Sequence, residues 1–256
     1  MKEVKVIHNN FASNEAVLDD YIKNFQTQGI DFGDQDRNSL KLFDLDGKTV
    51  NIKSFKIPNL FNQVVYRFFR KSKANRSYNY ACKLIELGIG TPQPIGYYEY
   101  SSPLLFKNSY YLSAHLEDII TYRYLTFNRE DEDHEAILRS FTRFTYKLHE
   151  KNVFFLDHSP GNTLIRKAEN GYEFYLVDLN RMKFEPLNFE SRIKNFSKLT
   201  IHKSMVEIMS DEYATCSGED YGRIFELMWR TTTEFQKKYH RKRKLKKKVL
   251  FFRAKN

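Results

Sequence analysis

Residues 148–165 read LHEKNVFFLDHSPGNTLI, and residues 172–182 read YEFYLVDLNRM. In the first stretch four apolar residues, Val153 to Leu156, run into Asp157. A polar loop with Ser159, Pro160 and Gly161 follows, and Asn162 opens a second apolar run. In the second stretch Tyr175, Leu176 and Val177 end at Asp178. A carboxylate at a strand end beside a polar loop can face a cleft, where it accepts a proton or holds a cation. Mg²⁺ suits such a set, because it takes one or two carboxylate or amide oxygens together with phosphate oxygens. Asp157 or Asn162 alone would equally well organise a turn. The three together point to chemistry.

Working outward, residues 41–56 (KLFDLDGKTVNIKSFK) alternate apolar and polar on both sides of Asp46-Gly47, which predicts a β-hairpin. Residues 1–38 show no convincing long element. Between residues 61 and 90, Tyr78, Cys82 and Ile85 keep helical spacing, and Gly88 and Gly90 supply a stop. Aromatic strands follow at residues 97–100 and 109–116. From residue 133 to 151, Ile137, Phe141, Phe144 and Leu148 mark an amphipathic helix. After Asp178 only helical patterns appear. Strands early and helices late predict an α+β chain with two lobes. The expected divisions are a partly ordered extension at 1–38, a β-rich lobe with one helix at 39–116, a helical lobe at 117–236 and a basic tail at 237–256.

Composition narrows the function classes. The 256 residues carry 42 Lys plus Arg against 32 Asp plus Glu, a formal charge of +10. Residues 237–256 hold eleven of the basic side chains and no acid, so the remainder is almost neutral at −1. No apolar run is long enough for a spanning helix, and no secretory leader is evident. Cys82 and Cys216 alone do not make a disulfide scaffold or a cysteine zinc site, so a reducing, cytoplasmic setting is expected. With 22 Phe and 17 Tyr against 10 Gly, the body reads as an ordered aromatic core.

The spacing Asp157-x-x-x-x-Asn162 resembles the catalytic loop of kinases, in which the Asp takes the hydroxyl proton and the Asn binds metal. The surrounding words are more specific. LHEKNVFFLDHSPGNTLI, VDLNRM, and RKSKANRSYNYACKLIELGIGTPQPIGYYEY with its G-I-x-T-P-x-P junction resemble the bacterial lipopolysaccharide-core kinases, the Kdo/heptose kinase family. Three blocks occur in the family's order over about residues 40–182. The resemblance implies a bilobal protein-kinase-like fold, ATP and Mg²⁺ as cofactors, and a sugar or glycolipid hydroxyl as acceptor. It makes Asp157 the base and Asn162 and Asp178 the metal ligands. Lys53, in Val50-Asn51-Ile52-Lys53, takes the place of the lysine that reaches the nucleotide phosphates. Lys56 competes for that role but points to the opposite face of a regular strand. The linker at Ala114, His115 and Leu116 would meet the adenine.

The sequence also departs from the family pattern. No G-x-G-x-x-G loop is present, and residues 31–39 (DFGDQDRNS) stand where a phosphate-covering loop would. Phe155 replaces the histidine two positions before the base. The helical acid expected to pair with Lys53 falls at Asn79, leaving Glu86 as the nearby substitute. Two alternatives therefore stay open: a catalytically degenerate kinase-like binding protein, and a kinase for another small molecule or a protein. The tail's clustered Lys and Arg, with Val249 to Phe252, suit an anionic inner-membrane surface. A solvated charge run is the plain alternative, and the absence of an aromatic ladder argues against nucleic acid. The sequence leaves the oligomeric state open.

Overall fold

The structure, a computed structural model, describes residues 2–33 and 38–254, without the side chains of 247–254. Residues 1–118 and 175–181 form one compact unit; residues 119–174 and 182–256 form the other.

The first unit is built on a six-stranded antiparallel sheet. Its strands are β1 (Lys2–Ile7), β2 (Ile30–Asp31), β3 (Asn38–Leu45), β4 (Lys48–Phe55), β5 (Pro94–Ser101) and β6 (Phe106–Ala114), in the spatial order β1-β5-β6-β4-β3-β2. The expected hairpin is β3–β4. Asp46 and Gly47 both take positive φ, 54° and 76°, as a two-residue turn in a right-twisted hairpin requires, and Leu45 faces Lys48 across it. The helices of this unit are α1 (Glu15–Lys23), α2 (Leu60–Phe68) and α3 (Lys73–Glu86). Leu18 and Ile22 of α1, with Phe25, cover one sheet face, over Val50, Ile52, Tyr98, Tyr110 and Leu112. Ala74 of α3 packs on the other face with Phe55 and Tyr97.

Residues 1–38 thus differ from the expected extension. β1 pairs along its whole length with β5, from Lys2↔Ser101 to Ile7↔Gly96. Gly96 is required there, since a Cβ would stand 2.6 Å from the carbonyl oxygen of Val6. The single helix expected between residues 39 and 116 is two, because the chain breaks after Phe69 and restarts with Ser72 capping the Asn75 N–H at 3.0 Å. The buried stripe of α3 is Ala74, Ser77, Ala81 and Leu84; Ile85 is exposed. At its end Gly88 takes φ 64°, and the Ile89 N–H donates to Leu84 O at 2.9 Å, a Schellman closure.

The second unit contains β7 (Ile119–Thr121), α4 (Arg123–Phe127), α5 (His134–Glu150), β8 (Val153–Phe155), β9 (Thr163–Ala168) and β10 (Gly171–Leu176), whose last two residues belong to the first unit. After these come β11 (Met182–Phe184), α6 (Phe189–Lys194), a 3-10 turn at Asn195–Lys198, α7 (Lys203–Ser217) and α8 (Tyr221–Ala254). Its core joins Ile137, Leu138 and Phe141 of α5 to Met205, Val206, Met209 and Tyr213 of α7 and to Ile224 and Met228 of α8. β9 sits between β7 and β10. β8 pairs with β11, a three-residue strand in a region where only helices were expected. A strand so short acquires its identity from its partner and carries no periodicity of its own. Residues 237–254 continue α8 without a break. No helix among the described residues is long and apolar enough to cross a membrane.

Candidate active site

In the first unit the chemistry gathers at Lys53. Asn51, Lys53 and Phe55 alternate onto the α3 face of β4, so Lys53 stands beside the Phe55 ring, 5.5 Å from its centroid. Its ammonium donates to Asp178 Oδ1 at 2.8 Å, and the Asn180 amide donates to the same oxygen at 2.9 Å. The segment carrying Asp178 is tied to the body of this unit by two bonds at Leu176. Its N–H donates to Gly90 O at 2.9 Å, and its carbonyl accepts from the Thr91 hydroxyl at 2.8 Å. Asp178 itself sits at φ 57°, a left-handed conformation that Asp tolerates better than most residues. Burial would push its carboxyl up. The Lys53 charge and hydrogen bond outweigh that, with help from Asn180 and Lys73, and hold it below the usual carboxylate range.

In the second unit the loop after β8 closes on itself. The His158 N–H donates to Phe155 O at 3.2 Å and the Asn162 N–H to Ser159 O at 3.0 Å. The Asn162 side-chain amide donates to the Asp157 carbonyl at 2.8 Å, which turns its Oδ1 outward from that bond as an acceptor. Lys198 reaches the loop from the 3-10 turn, donating to Leu156 O at 2.6 Å with its ammonium 3.4 Å from Asp157 Oδ1.

Beneath the loop lies a buried polar chain. Asn195 Nδ2 donates to Phe155 O at 2.9 Å, so its Oδ1 must accept; the partner is His149 Nε2 at 3.2 Å. The neutral imidazole therefore carries its proton on Nε2, and Nδ1 accepts from the Tyr213 hydroxyl at 2.9 Å. His158 is fully buried among Phe141, Phe155 and Phe196, with Asn195 as the polar side chain beside it. Burial lowers His149 to about 4 and His158 to about 3.

The structure brings Lys53 and Asp178 together in one unit, and Asp157 and Asn162 together in the other. Glu86 lies elsewhere, exposed near the end of α3 and 3.5 Å from Lys83. Asn79 donates to Asn75 O one turn back. Lys56 is exposed just beyond β4. At the strand end after β6, the Ala114 N–H donates to Gln93 O at 2.9 Å and the His115 N–H to Thr49 O at 3.0 Å; Leu116 is half-buried. Of the stretch 31–39, residues 34–37 lie outside the described residues. Sequence reasoning passed over Asn180, Lys198, Asn195 and Lys73. Only Asn180 carried a signal, two residues after Asp178; the others act across long sequence separations. No three His, Cys, Asp or Glu side chains form a metal cluster among the described residues. In the first unit the carboxylate of Asp178, and in the second the carboxylate of Asp157 and the Oδ1 of Asn162, are oxygens of the kind a hard cation takes.

No protein-family model matches this sequence, and no curated protein matches it. Among solved structures the chain is similar to WaaP in complex with acyl carrier protein. The TM-score is 0.64 at 14% identity, over 91% of this chain and 98% of that one. That likeness establishes the fold: a unit built on an antiparallel sheet and a largely helical unit, similar to the kinase-like fold of WaaP.

Proposed function

We propose that this protein is an ATP-dependent phosphotransferase acting on a hydroxyl of a lipopolysaccharide-core sugar of the Kdo or heptose type. The observation that carries the reading is the Lys53–Asp178 pair at 2.8 Å on a protein-kinase-like fold. Phosphoryl transfer needs a lysine and a metal-binding acid at the same phosphates, and little else of a covalent kind. In the transfer, the sugar oxygen bonds to the γ-phosphorus while the bond to the β,γ-bridging oxygen breaks, and ADP leaves with that electron pair. Asp157 receives the hydroxyl proton, and Lys198 orients its carboxylate. Asn162 fixes the loop through the Asp157 carbonyl. Lys53 exchanges Asp178 for the nucleotide phosphates. Asn162 Oδ1 and Asp178 are the residues that would hold Mg²⁺, an all-oxygen set of the kind it prefers, and the ion when bound supplies charge neutralisation. Because the Ala114 and His115 N–H groups are already engaged, a purine at that strand end would meet Leu116. The basic residues of 237–256 would keep the protein at the anionic cytoplasmic face of the inner membrane.

The test is phosphate transfer from ATP to core glycolipid by the purified protein, compared with Asp157→Asn and Asp178→Asn. Both variants should keep the wild-type circular dichroism spectrum and lose transfer by at least about a hundredfold. Undiminished transfer in either would sink the assignment. One observation favours a second reading, a nucleotide-binding protein without transferase activity. Asn79 stands where the lysine's helical acid is expected, and Glu86 pairs with Lys83 instead. A thermal shift with ATP and Mg²⁺ but no transfer to any core sugar would support that reading.

A further inference from the structure

Helix α2 is built inside out. On its wheel Leu60, Phe61, Val64 and Phe68 share one side, and that side faces solvent: Leu60 is 68% exposed, Phe61 76% and Phe68 54%. Phe69, just past the helix, is 82% exposed. The helix is held down instead by Gln63, Tyr66 and Arg67, which lie to one flank of that apolar side. Gln63 is buried and donates to Pro58 O at 2.9 Å. Tyr66 packs 5.8 Å from Phe106, and Arg67 donates to Ser102 O at 3.1 Å and Pro103 O at 3.3 Å. Arg67 thereby anchors the turn that carries Leu104, itself exposed. An ordinary surface helix turns its apolar stripe inward; a contiguous outward patch of this kind marks a docking surface.

The occupant follows from shape and charge. The apolar side chains project from a convex helix and do not line a groove, so they suit insertion into a surface and not reception of a partner helix. The rim is basic, with Lys56, Arg70 and Lys71 exposed, and from Gly47 to Ile85 the chain has nine Lys or Arg and no acid. Projecting aromatics framed by cations are the chemistry of a helix lying in the headgroup region of an anionic leaflet. We propose that α2 and Phe69 form a membrane-docking element of the first unit, seating Phe61, Phe68 and Phe69 at the acyl boundary of anionic phospholipids. This element is separate from the basic segment 237–256 and does not depend on the catalytic assignment.

The full chain is to be floated with vesicles of phosphatidylglycerol and phosphatidylcholine, and with phosphatidylcholine alone. Binding to the anionic vesicles only is expected, falling at least tenfold in the triple variant F61S/F68S/F69S. A Phe68→Trp chain gives the local readout. Brominated anionic vesicles should quench the added tryptophan while leaving the wild-type signal from Trp229 unchanged, which separates α2 from the basic segment. The ATP-dependent thermal shift should be the same in the triple variant and the wild type, so failure of docking and failure of the catalytic reading are distinguishable. Absence of quenching at position 68, or equal flotation of the triple variant, overturns the proposal. So does a wild-type chain that ignores both vesicles yet uses these phenylalanines to bind an acidic protein or a second copy of itself.

Discussion

Mild acid should destabilise the second unit before its carboxylates titrate, and the cause is two imidazoles under the loop that carries Asp157. His149 and His158 are fully buried, and burial is the first reason that both prefer the neutral form. For His149 the Arg192 charge adds to that preference and the Asn195 bond partly offsets it. His158 is held down further by His149 and Lys198, against a partial offset from Asn195. With folded values of about 4 and about 3 against 6.5 for an ordinary histidine, the unfolded chain binds protons first. Their contribution is therefore fully present above pH 6.5 and is lost as pH falls from there toward the folded values. At about pH 5 each histidine costs about 2 kcal/mol by proton linkage, so the pair costs about 4 kcal/mol relative to neutrality. Against a typical total of about 5–15 kcal/mol, that is a large fraction.

The assay is urea unfolding followed by the fluorescence of Trp229, which packs against the core of this unit and is the only tryptophan in the chain. Midpoints measured from about pH 7.5 to pH 5 give the acid limb directly through linkage. The variant His158→Phe keeps a ring among Phe141, Phe155 and Phe196 and removes the titrating nitrogens. Its absolute stability carries an unknown packing cost, but the difference between the two pH values within one protein does not. That difference should shrink to about half. A wild-type loss below about 1 kcal/mol, or a variant with the full wild-type loss, would refute the reasoning.

Other outcomes can be stated briefly. Phe196→Ala removes a fully buried ring touching His149 and Tyr213 and should cost about 3–5 kcal/mol in urea unfolding. Gly96→Ala places a Cβ 2.6 Å from Val6 O, so β1 must shift; a loss of about 1–3 kcal/mol is expected, with hydrogen exchange accelerated along β1. Asn195→Asp puts an acceptor where Nδ2 now donates to Phe155 O, and should cost about 2–4 kcal/mol near neutral pH without opening a cavity. Lys198→Met should lower kcat with KM for ATP unchanged, while stability moves by less than about 1 kcal/mol because the pair is partly exposed.

What the sequence disclosed depended on whether a residue's reason was local. Asp46-Gly47 announced its hairpin because two successive left-handed residues suit few other structures. Ile137, Phe141 and Leu148 announced α5 because that helix buries one clean stripe. β1 gave no such signal. It is an edge strand whose first three residues are exposed, and its identity comes from pairing with β5. α1 was harder than it needed to be: Leu18, Ile22 and Phe25 keep helical spacing, but they lie in a polar stretch. α2 was not told apart from α3, since helical spacing was read only from Tyr78, Cys82 and Ile85, and the break between Phe69 and Ser72 carries neither Gly nor Pro. At the candidate site, Asp157, Asn162 and Asp178 stood out against apolar runs. Lys198 and Asn195 did not, because their partners lie about forty residues away.

The two groups of candidate residues are held by different physics, and they should fail under different conditions. Asp178 is fixed mainly by charge, through an ammonium at 2.8 Å in a pair that water still reaches. Salt screens such a pair, and a polyanionic ligand can take its lysine, so the contact is suited to being exchanged. The loop carrying Asp157 rests on the neutral chain Tyr213, His149, Asn195 and Phe155 O, each member buried and each bond direction determined by the next. Salt has no purchase there. A proton does, because an added charge on His149 lands on Nδ1, where the Tyr213 hydroxyl now donates. Raised ionic strength should therefore loosen the lysine contact and leave the loop in place, whereas acid should release the loop while Asp178, held below the ordinary carboxylate range, stays paired. On the proposed function, this division leaves the Asp157 loop rigid and Lys53 free to change partners, as positioning a hydroxyl and exchanging onto a phosphate would each require.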